Sequence, residues 1–472
     1  MNVILKRISS VGFGNILGQA ISLLSLPIIA RLYSPESYSI WMLFFSIVLI
    51  FSLVATLRFE LAILLPKEHT EALPIVVLCI VFTIISSLLS MLVVVVFDDF
   101  LYGESSAKLS QLSILILVMV FSCGIYTTAL SWLTRMKSFN WYSFGCFGLP
   151  FFTVSSQLGM GYLGYDDYFG LVVGGVVGQA IIAFILFFVV SMQLISLKLS
   201  FDLAEIKNAF IEYQNYPRYM TPFTLLSTFR NRVVYFMLNN ASSTQAGLYG
   251  MASRITNAPN SFLTGAVRPV FFQWAVVKNI REVEKTIVTI MKIMTTVIVP
   301  FWIIFILYSD VIVTTVLGER WREAAEYTVI LSFPAIALLL TNWLDRSFDV
   351  LKQQKTAFKL ELVFSCLVII TLFIGASLFE EMKYVIIMQS TVVLGYYWVW
   401  LKVLFNKAGY SSKAYLQIII YFLSLSLVLF LIYYMIMIAL PDLASFIILL
   451  ILSCLIITKL CMKNIRLLRS NI

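Results

Sequence analysis

The chain has 472 residues, 61% of them hydrophobic and only 12% charged, with a net charge of +9. Soluble domains carry about 45–50% apolar and about 25% charged residues, so a water-soluble enzyme, a disordered chain and a coiled coil are all excluded. The six cysteines lie inside apolar runs without CxxC spacing, which supports neither a disulfide framework nor a zinc site.

A helix that crosses hydrocarbon needs about 20 mostly apolar residues. Runs of that kind predict fourteen spans, at 11–31, 40–64, 74–97, 109–134, 141–163, 168–196, 218–240, 246–274, 285–308, 325–345, 356–379, 383–405, 414–439 and 443–462. They are too long for barrel strands of about ten residues and show no period-2 alternation. The first run follows Lys6 and Arg7 and lacks a small-residue cleavage site, so it reads as a retained helix rather than a signal peptide.

Orientation follows from the basic residues. With a cytoplasmic N-terminus, 22 of the 33 fall on the inner side. Five (Arg31, Lys108, Arg320, Arg322 and Lys383) fall on the outer side, and six lie within spans. That bias is the positive-inside pattern, and it places both termini in the cytoplasm. Charges dispersed over many loops suit an anionic leaflet and call for no nucleic acid.

The longest hydrophilic stretch, 197–217, separates two groups of six spans. An echo at an offset of 208 residues supports the division: Ser34-Pro-Glu-Ser-Tyr-Ser-Ile-Trp41 against Ser242-Ser-Thr-Gln-Ala-Gly-Leu-Tyr249. The expected organisation is a six-helix lobe over 1–200, a second over 201–408, and two additional helices with a basic tail over 409–472. Repeats of this kind are common in transporters, whose substrate sites tend to lie at the repeat interface.

Arg58, Arg230, Arg232, Arg254, Arg268 and Lys292 fall inside spans. Facing lipid they would cost on the order of 15–20 kcal/mol together, so a wet cavity or a partner is expected instead. Snorkelling accounts for Lys292, near a cytoplasmic end. Arg254, Asn257, Ser261, Gly265 and Arg268 fall within about 80° of one another on an ideal helix, forming a polar stripe that a bend at Pro259 would disturb. Asn15, Gln19 and Ser22 make a similar stripe in the first span, with Arg31 beyond it. Arg230 and Arg232 lie about 200° apart, so one of them, taken to be Arg230, faces the lumen. Acids inside spans are scarcer: Asp345 and Glu361 sit close to cytoplasmic boundaries, and Glu60, two residues from Arg58, is read either as a counter-charge for a nearby arginine or as an ion-coupling group. An excess of arginine favours an anionic ligand, because the guanidinium matches phosphate or carboxylate with two donors.

Other features are structural or absent. Gly174-Gly-Val-Val-Gly178 contains a GxxxG that lets helices pack closely. His69, the single histidine, reads as a surface residue. There is no GxxxxGK[ST], so no nucleotide hydrolysis powers transport, and no cofactor or metal is expected.

Four stretches resemble the polysaccharide-exporting flippases of the multidrug/oligosaccharidyl-lipid/polysaccharide superfamily, especially the O-antigen type. They are Gly12-Phe-Gly-Asn-Ile-Leu-Gly-Gln19 with Pro27 and Ala30-Arg-Leu-Tyr-Ser-Pro-Glu36; Leu57-Arg-Phe-Glu-Leu-Ala-Ile-Leu-Leu-Pro66 with Glu71-Ala72; Tyr213 to Pro222 followed by Ala246-Gly-Leu-Tyr-Gly-Met-Ala-Ser-Arg254 and Pro259; and Leu317-Gly-Glu-Arg-Trp-Arg-Glu-Ala324. The resemblance runs from residue 1 to about 405. Ser39 and Ala325 stand where glycine is usual, which is read as a change in backbone turns. The resemblance implies two six-helix lobes in a V around a central cationic cavity, working by alternating access in a bacterial inner membrane. Its implied cargo is a polyprenyl-pyrophosphate-linked oligosaccharide, with H+ or Na+ as coupling ion and other polysaccharide-assembly membrane proteins as partners. Two rivals stay open: a multidrug or organic-ion antiporter on the same fold, and a membrane oligosaccharide polymerase. The polymerase should hold catalytic residues in a large outer loop, whereas the longest here, 309–324, is short.

Overall fold

The computed structural model describes residues 2–97, 109–197, 202–275, 279–351 and 353–471. Among them the secondary structure is helical, with no strand, and it divides into two compact units, Met1–Met251 and Ala252–Ile472. A helix answers each of the fourteen predicted spans. Among the described residues, eleven helices are long and apolar enough to cross a membrane. The other three, at 141–163, 218–240 and 246–274, are helical but more polar. The all-α polytopic fold expected from the sequence is therefore present, and the chain is a multi-pass membrane protein.

In the first unit, α1 (Asn2–Leu24) and α2 (Leu26–Leu32) divide the first predicted span at Ser25. Pro27 lies in the first turn of α2, where its missing N–H removes no helical bond. Helix α3 (Pro35–Ser52) starts at Ser34, whose hydroxyl accepts from the Ser37 N–H at 3.2 Å. The second predicted span, 40–64, is not one helix either. It stops at Ser52 and resumes as a 3-10 segment, Phe59–Leu64. The cause is local: Leu57 and Arg58 have φ of 49° and 65°, left-handed values that an α-helix cannot contain.

Next come α4 (His69–Val96), α5 (Ser113–Arg135), α6 (Phe139–Tyr162) and α7 (Tyr168–Ser196). The N-terminus of α7 is capped by Asp167, which accepts from the Phe169 and Gly170 amides. The short α8 (Leu203–Glu212) follows, then a π turn at Tyr216–Met220 and α9 (Thr221–Ala241). Gly174 and Gly178 do pack α7 on α6: a Cβ at Gly174 would stand 2.6 Å from the Gln157 Cα, and one at Gly178 would strike the Thr153 backbone. Gly14 and Gly18 give α1 the same close approach to Ser143 and Cys146 of α6.

Helix α10 (Ser243–Ala275) contains the boundary between the units. That boundary lies beyond the hydrophilic stretch at 197–217 because α9 and the first turns of α10 pack along α3. The second unit continues with α11 (Ile280–Leu307), α12 (Ser309–Leu317), α13 (Ala324–Thr341), α14 (Gln354–Leu378), α15 (Met382–Ala408), α16 (Ser412–Ala439) and α17 (Asp442–Asn471). Its core gathers Phe271, Met291, Trp343, Leu344, Phe348 and Phe405. Helices α16 and α17 flank α11, and hydroxyl pairs tie the three together: Thr296–Tyr421 at 2.7 Å, Tyr308–Ser445 at 2.6 Å and Tyr433–Ser453 at 2.7 Å.

Candidate functional site

The echoed segments do the same local work. As Ser34 caps α3, the Ser242 hydroxyl accepts from the Gln245 N–H at 3.4 Å at the start of α10. The two caps also meet each other. Thr244 donates to Glu36 Oε1 at 2.6 Å, and Ser39 donates to Asn239 Oδ1 at 3.2 Å. Gly247 lies so close to Pro35 that an added Cβ would overlap the Pro35 carbonyl oxygen. Ser39 and Ala325 are therefore not turn residues as read from the sequence. Both are buried inside helices, α3 and α13.

The remaining resembling stretches have equally physical roles. Gly318 turns the chain with φ 101°, Trp321 is fully buried, and Arg322 joins Asp310 at 2.6 Å and Glu319 at 2.7 Å. The Arg322 hydrogen bond holds the Glu319 carboxyl below its ordinary value. At the 213–222 stretch, burial and the adjacent Glu212 push the Tyr213 phenol up to about 12.

The sequence-selected residues of the first unit occupy different settings. On α1, Asn15 is exposed while Gln19 and Ser22 are half-buried, beside the glycine face that meets α6. Arg31 is exposed in the last turn of α2. Arg230 is buried on α9, with Nε donating to Asn231 Oδ1 at 3.2 Å. Arg232 lies over the rings of Phe45 and Tyr235 at 5.8 and 5.5 Å, a cation–π setting.

Arg58 donates through Nη1 to Glu60 Oε1 at 3.2 Å, and the Thr56 hydroxyl donates to Glu60 Oε2. Glu60 is thus the counter-charge of Arg58. Holding Leu57 and Arg58 left-handed costs about 1–2 kcal/mol each. Farther along the connection, Arg135 of α5 donates to the carbonyls of Ile63 (2.9 Å), Pro66 (2.8 Å) and Glu68, and through Nε to His69 Nδ1 at 3.3 Å. His69 is accordingly half-buried rather than a plain surface residue.

In the second unit, α10 runs unbroken through Pro259 over 33 residues. Arg254 is half-buried. Asn257 is exposed and folds back on its own helix, donating to the Ser253 carbonyl at 2.9 Å. The side chain of Ser261 lies outside those described, and Gly265 carries none. Arg268 pairs with Asp345 at 2.7 Å and reaches the Asn342 carbonyl at 3.4 Å, while Asn342 donates to Asn260 at 3.2 Å. This polar clasp holds α10 to the turn after α13, next to the edge-to-face contact of Phe271 and Trp343. Sequence spacing carries no signal for it, because Asp345 and Asn342 are remote in the chain.

If α10 borders water, cysteines placed at 254 and 268 will react with a charged, membrane-impermeant thiol reagent. The background must lack native thiols, since Cys366 and Cys454 are exposed. Protection at both positions, in cells and in inside-out vesicles alike, would show packed side chains instead.

Helices of this length and apolarity define a multi-pass membrane protein, with a fold shared by flippases and multidrug transporters. The match to lipid II flippase MurJ in an inward closed conformation covers 98% of this chain and 99% of that one, with TM-score 0.71 and 15% identity. An inward-facing multidrug resistance MATE family transporter of the MOP superfamily matches over 83% of this chain and 94% of its own, with TM-score 0.60 and 13% identity. The MATE multidrug transporter DinF-BH matches over 86% of this chain and 97% of its own, with TM-score 0.57 and 14% identity. At these identities the likeness is one of fold. The chain belongs to the polysaccharide biosynthesis protein family, whose model matches residues 28–326. The resemblance read from the sequence is borne out. No curated protein matches the chain by sequence.

Proposed function

We propose that this chain is a non-enzymatic flippase that moves a polyprenyl-pyrophosphate-linked oligosaccharide, an O-antigen or capsular repeat unit, from the cytoplasmic to the periplasmic leaflet by alternating access. The setting is a bacterial inner membrane with both termini cytoplasmic, and an H+ or Na+ gradient or the membrane potential drives the cycle. Residues 1–200 and 201–408 form its two six-helix lobes, and 409–472 is an addition.

The observation that carries this reading is the stripe on α10. A helix of span length bears Arg254, Asn257 and Arg268 along one side, in a family of polysaccharide biosynthesis proteins. A pyrophosphate drawn through hydrocarbon alone would meet the desolvation barrier of any buried ion. Arginines along a wet path lower that barrier while the prenyl tail stays in lipid. Arg254 and Arg268 are the main proposed ligands, with Arg31, Arg58 and Arg230 of the first unit as further ones.

Deleting the gene tests the reading. Loss of surface glycan, with lipid-linked repeat units accumulating on the cytoplasmic face and rescue from a plasmid, is the expected result. Intact glycan with raised sensitivity to cationic dyes would sink it in favour of a multidrug antiporter.

A further inference from the structure

The seam between α11 and α16 carries charge that the cargo site leaves unused. On α11, Lys285, Lys292 and Thr296 lie within about 40° of one another, and on α16, Lys413, Gln417 and Tyr421 lie within about 80°. Both helices start at the same side of the second unit, where Glu284 Oε2 accepts from the Ser411 N–H at 2.9 Å. The two polar columns run inward from that side and close where the Thr296 and Tyr421 hydroxyls meet at 2.7 Å. The Thr296 proton goes to the Lys292 carbonyl, also at 2.7 Å, so the Tyr421 phenol is the donor to Thr296 and its ring is held in place. Lys292 Nζ stands 5.9 Å from the centre of that ring, a cation–π contact.

Among the described residues the Lys292 ammonium meets no carboxylate and no hydrogen-bond acceptor, and it is not sealed off. Glu284, the acid at the mouth of the seam, is occupied by the Ser411 amide. Lys292 lies one heptad beyond Lys285, about 10 Å along the helix, so a full charge stands inside the span without a counter-ion, which is costly in hydrocarbon. Helical side chains lean toward the N-terminus, and here that lifts the ammonium toward the level of lipid head groups. Beside the polar column of α16, Leu416, Ile420 and Leu423 are exposed. The seam thus offers cations at the height of a phosphate and an apolar wall next to them.

We propose that this seam binds an anionic phospholipid of the leaflet at the start of α11 and α16, the cytoplasmic one in the orientation given above. The head-group phosphate takes Lys292 and Lys285, with Lys413 at the rim, and the acyl chains lie along Leu416, Ile420 and Leu423. A lipid-borne phosphate suits the seam because a soluble anion gains nothing from the apolar wall. The bound lipid supplies the counter-charge that the protein withholds, and so strengthens the hold of α16 on α11. The site is separate from the arginines proposed for cargo and does not depend on the flippase reading.

The test uses the purified full-length protein in neutral detergent, titrated with spin-labelled phosphatidylglycerol and, for comparison, spin-labelled phosphatidylcholine. Wild type should show a saturable class of immobilised phosphatidylglycerol for which phosphatidylcholine does not compete. Its absence in wild type would overturn the proposal, whatever the variants do. Lys292→Gln should weaken that class by about fivefold, the effect of one lysine at an anionic leaflet, and Lys292→Arg should retain it. Lys459→Gln is the control: it removes an exposed lysine toward the C-terminal end of α17 and should leave the affinity unchanged. Equal loss in Lys292→Gln and Lys459→Gln, or loss in neither, would show unspecific attraction and sink the site. A photoreactive amino acid at the exposed Gln417 of the otherwise unaltered protein should capture phosphatidylglycerol in preference to phosphatidylcholine; equal capture counts against the seam. Inorganic phosphate at the concentration of the lipid should not displace it, and displacement would replace the lipid with a soluble anion and overturn the proposal.

Discussion

Replacing Arg254 by alanine is expected to abolish surface glycan export while protein level and membrane insertion stay intact. Arg254→Lys should retain part of the activity, because a point charge survives but the two-donor fork does not. Arg254→Glu should be as inactive as alanine or worse, since it repels phosphate in a region of reduced dielectric. The measure is surface glycan per unit of correctly inserted protein across the three variants. Equal activity of the Lys and Glu variants would refute anion binding by Arg254. Loss of activity in step with loss of folded protein would assign it to helix packing.

Gly247→Ala should cost about 1–3 kcal/mol of stability. Its new methyl would occupy the place of the Pro35 carbonyl oxygen, which is backbone and cannot swing aside. Gly159→Ala is the control: it lies in α6, with nothing within 4 Å of the added Cβ. There the loss of glycine's unfolded-state freedom should leave stability unchanged or slightly raised. Thermal unfolding of the detergent-solubilised variants decides the matter. Equal midpoints would show that the contact between the start of α10 and the start of α3 gives way readily.

Hydropathy located the helices well because burial in lipid is a demand on composition, and composition is written residue by residue. It did not show that the first two spans are interrupted. At Ser25 the chain turns without a polar residue run to mark it, and at Leu57–Arg58 the left-handed backbone is carried by residues whose identity gives no warning. GxxxG at 174–178 was legible because close helix contact requires the absence of a side chain, which a sequence displays directly. The candidate site was less so. Arg58 and Glu60 stand two residues apart, a spacing that allows an ion pair without requiring one. The Arg268–Asp345 clasp and the Arg135–His69 contact join distant segments, and helical angles within one element hold no trace of them. Most of the four resembling stretches turn out to specify caps, tight packing and turns, so they reported the fold more directly than the ligand.

The hydroxyl pairs that join α11, α16 and α17 have a mechanical consequence. α16 and α17 are the least buried of the candidate spans, and lipid offers no water to replace a broken Thr296–Tyr421, Tyr308–Ser445 or Tyr433–Ser453 bond. Sliding or rotating either helix would strand the three tyrosine hydroxyls in hydrocarbon, whereas Thr296, Ser445 and Ser453 keep the carbonyls of Lys292, Pro441 and Leu449 in their own helices. The additional pair is therefore geared to α11: a tilt or translation of α11 would carry α16 and α17 through the surrounding lipid with it.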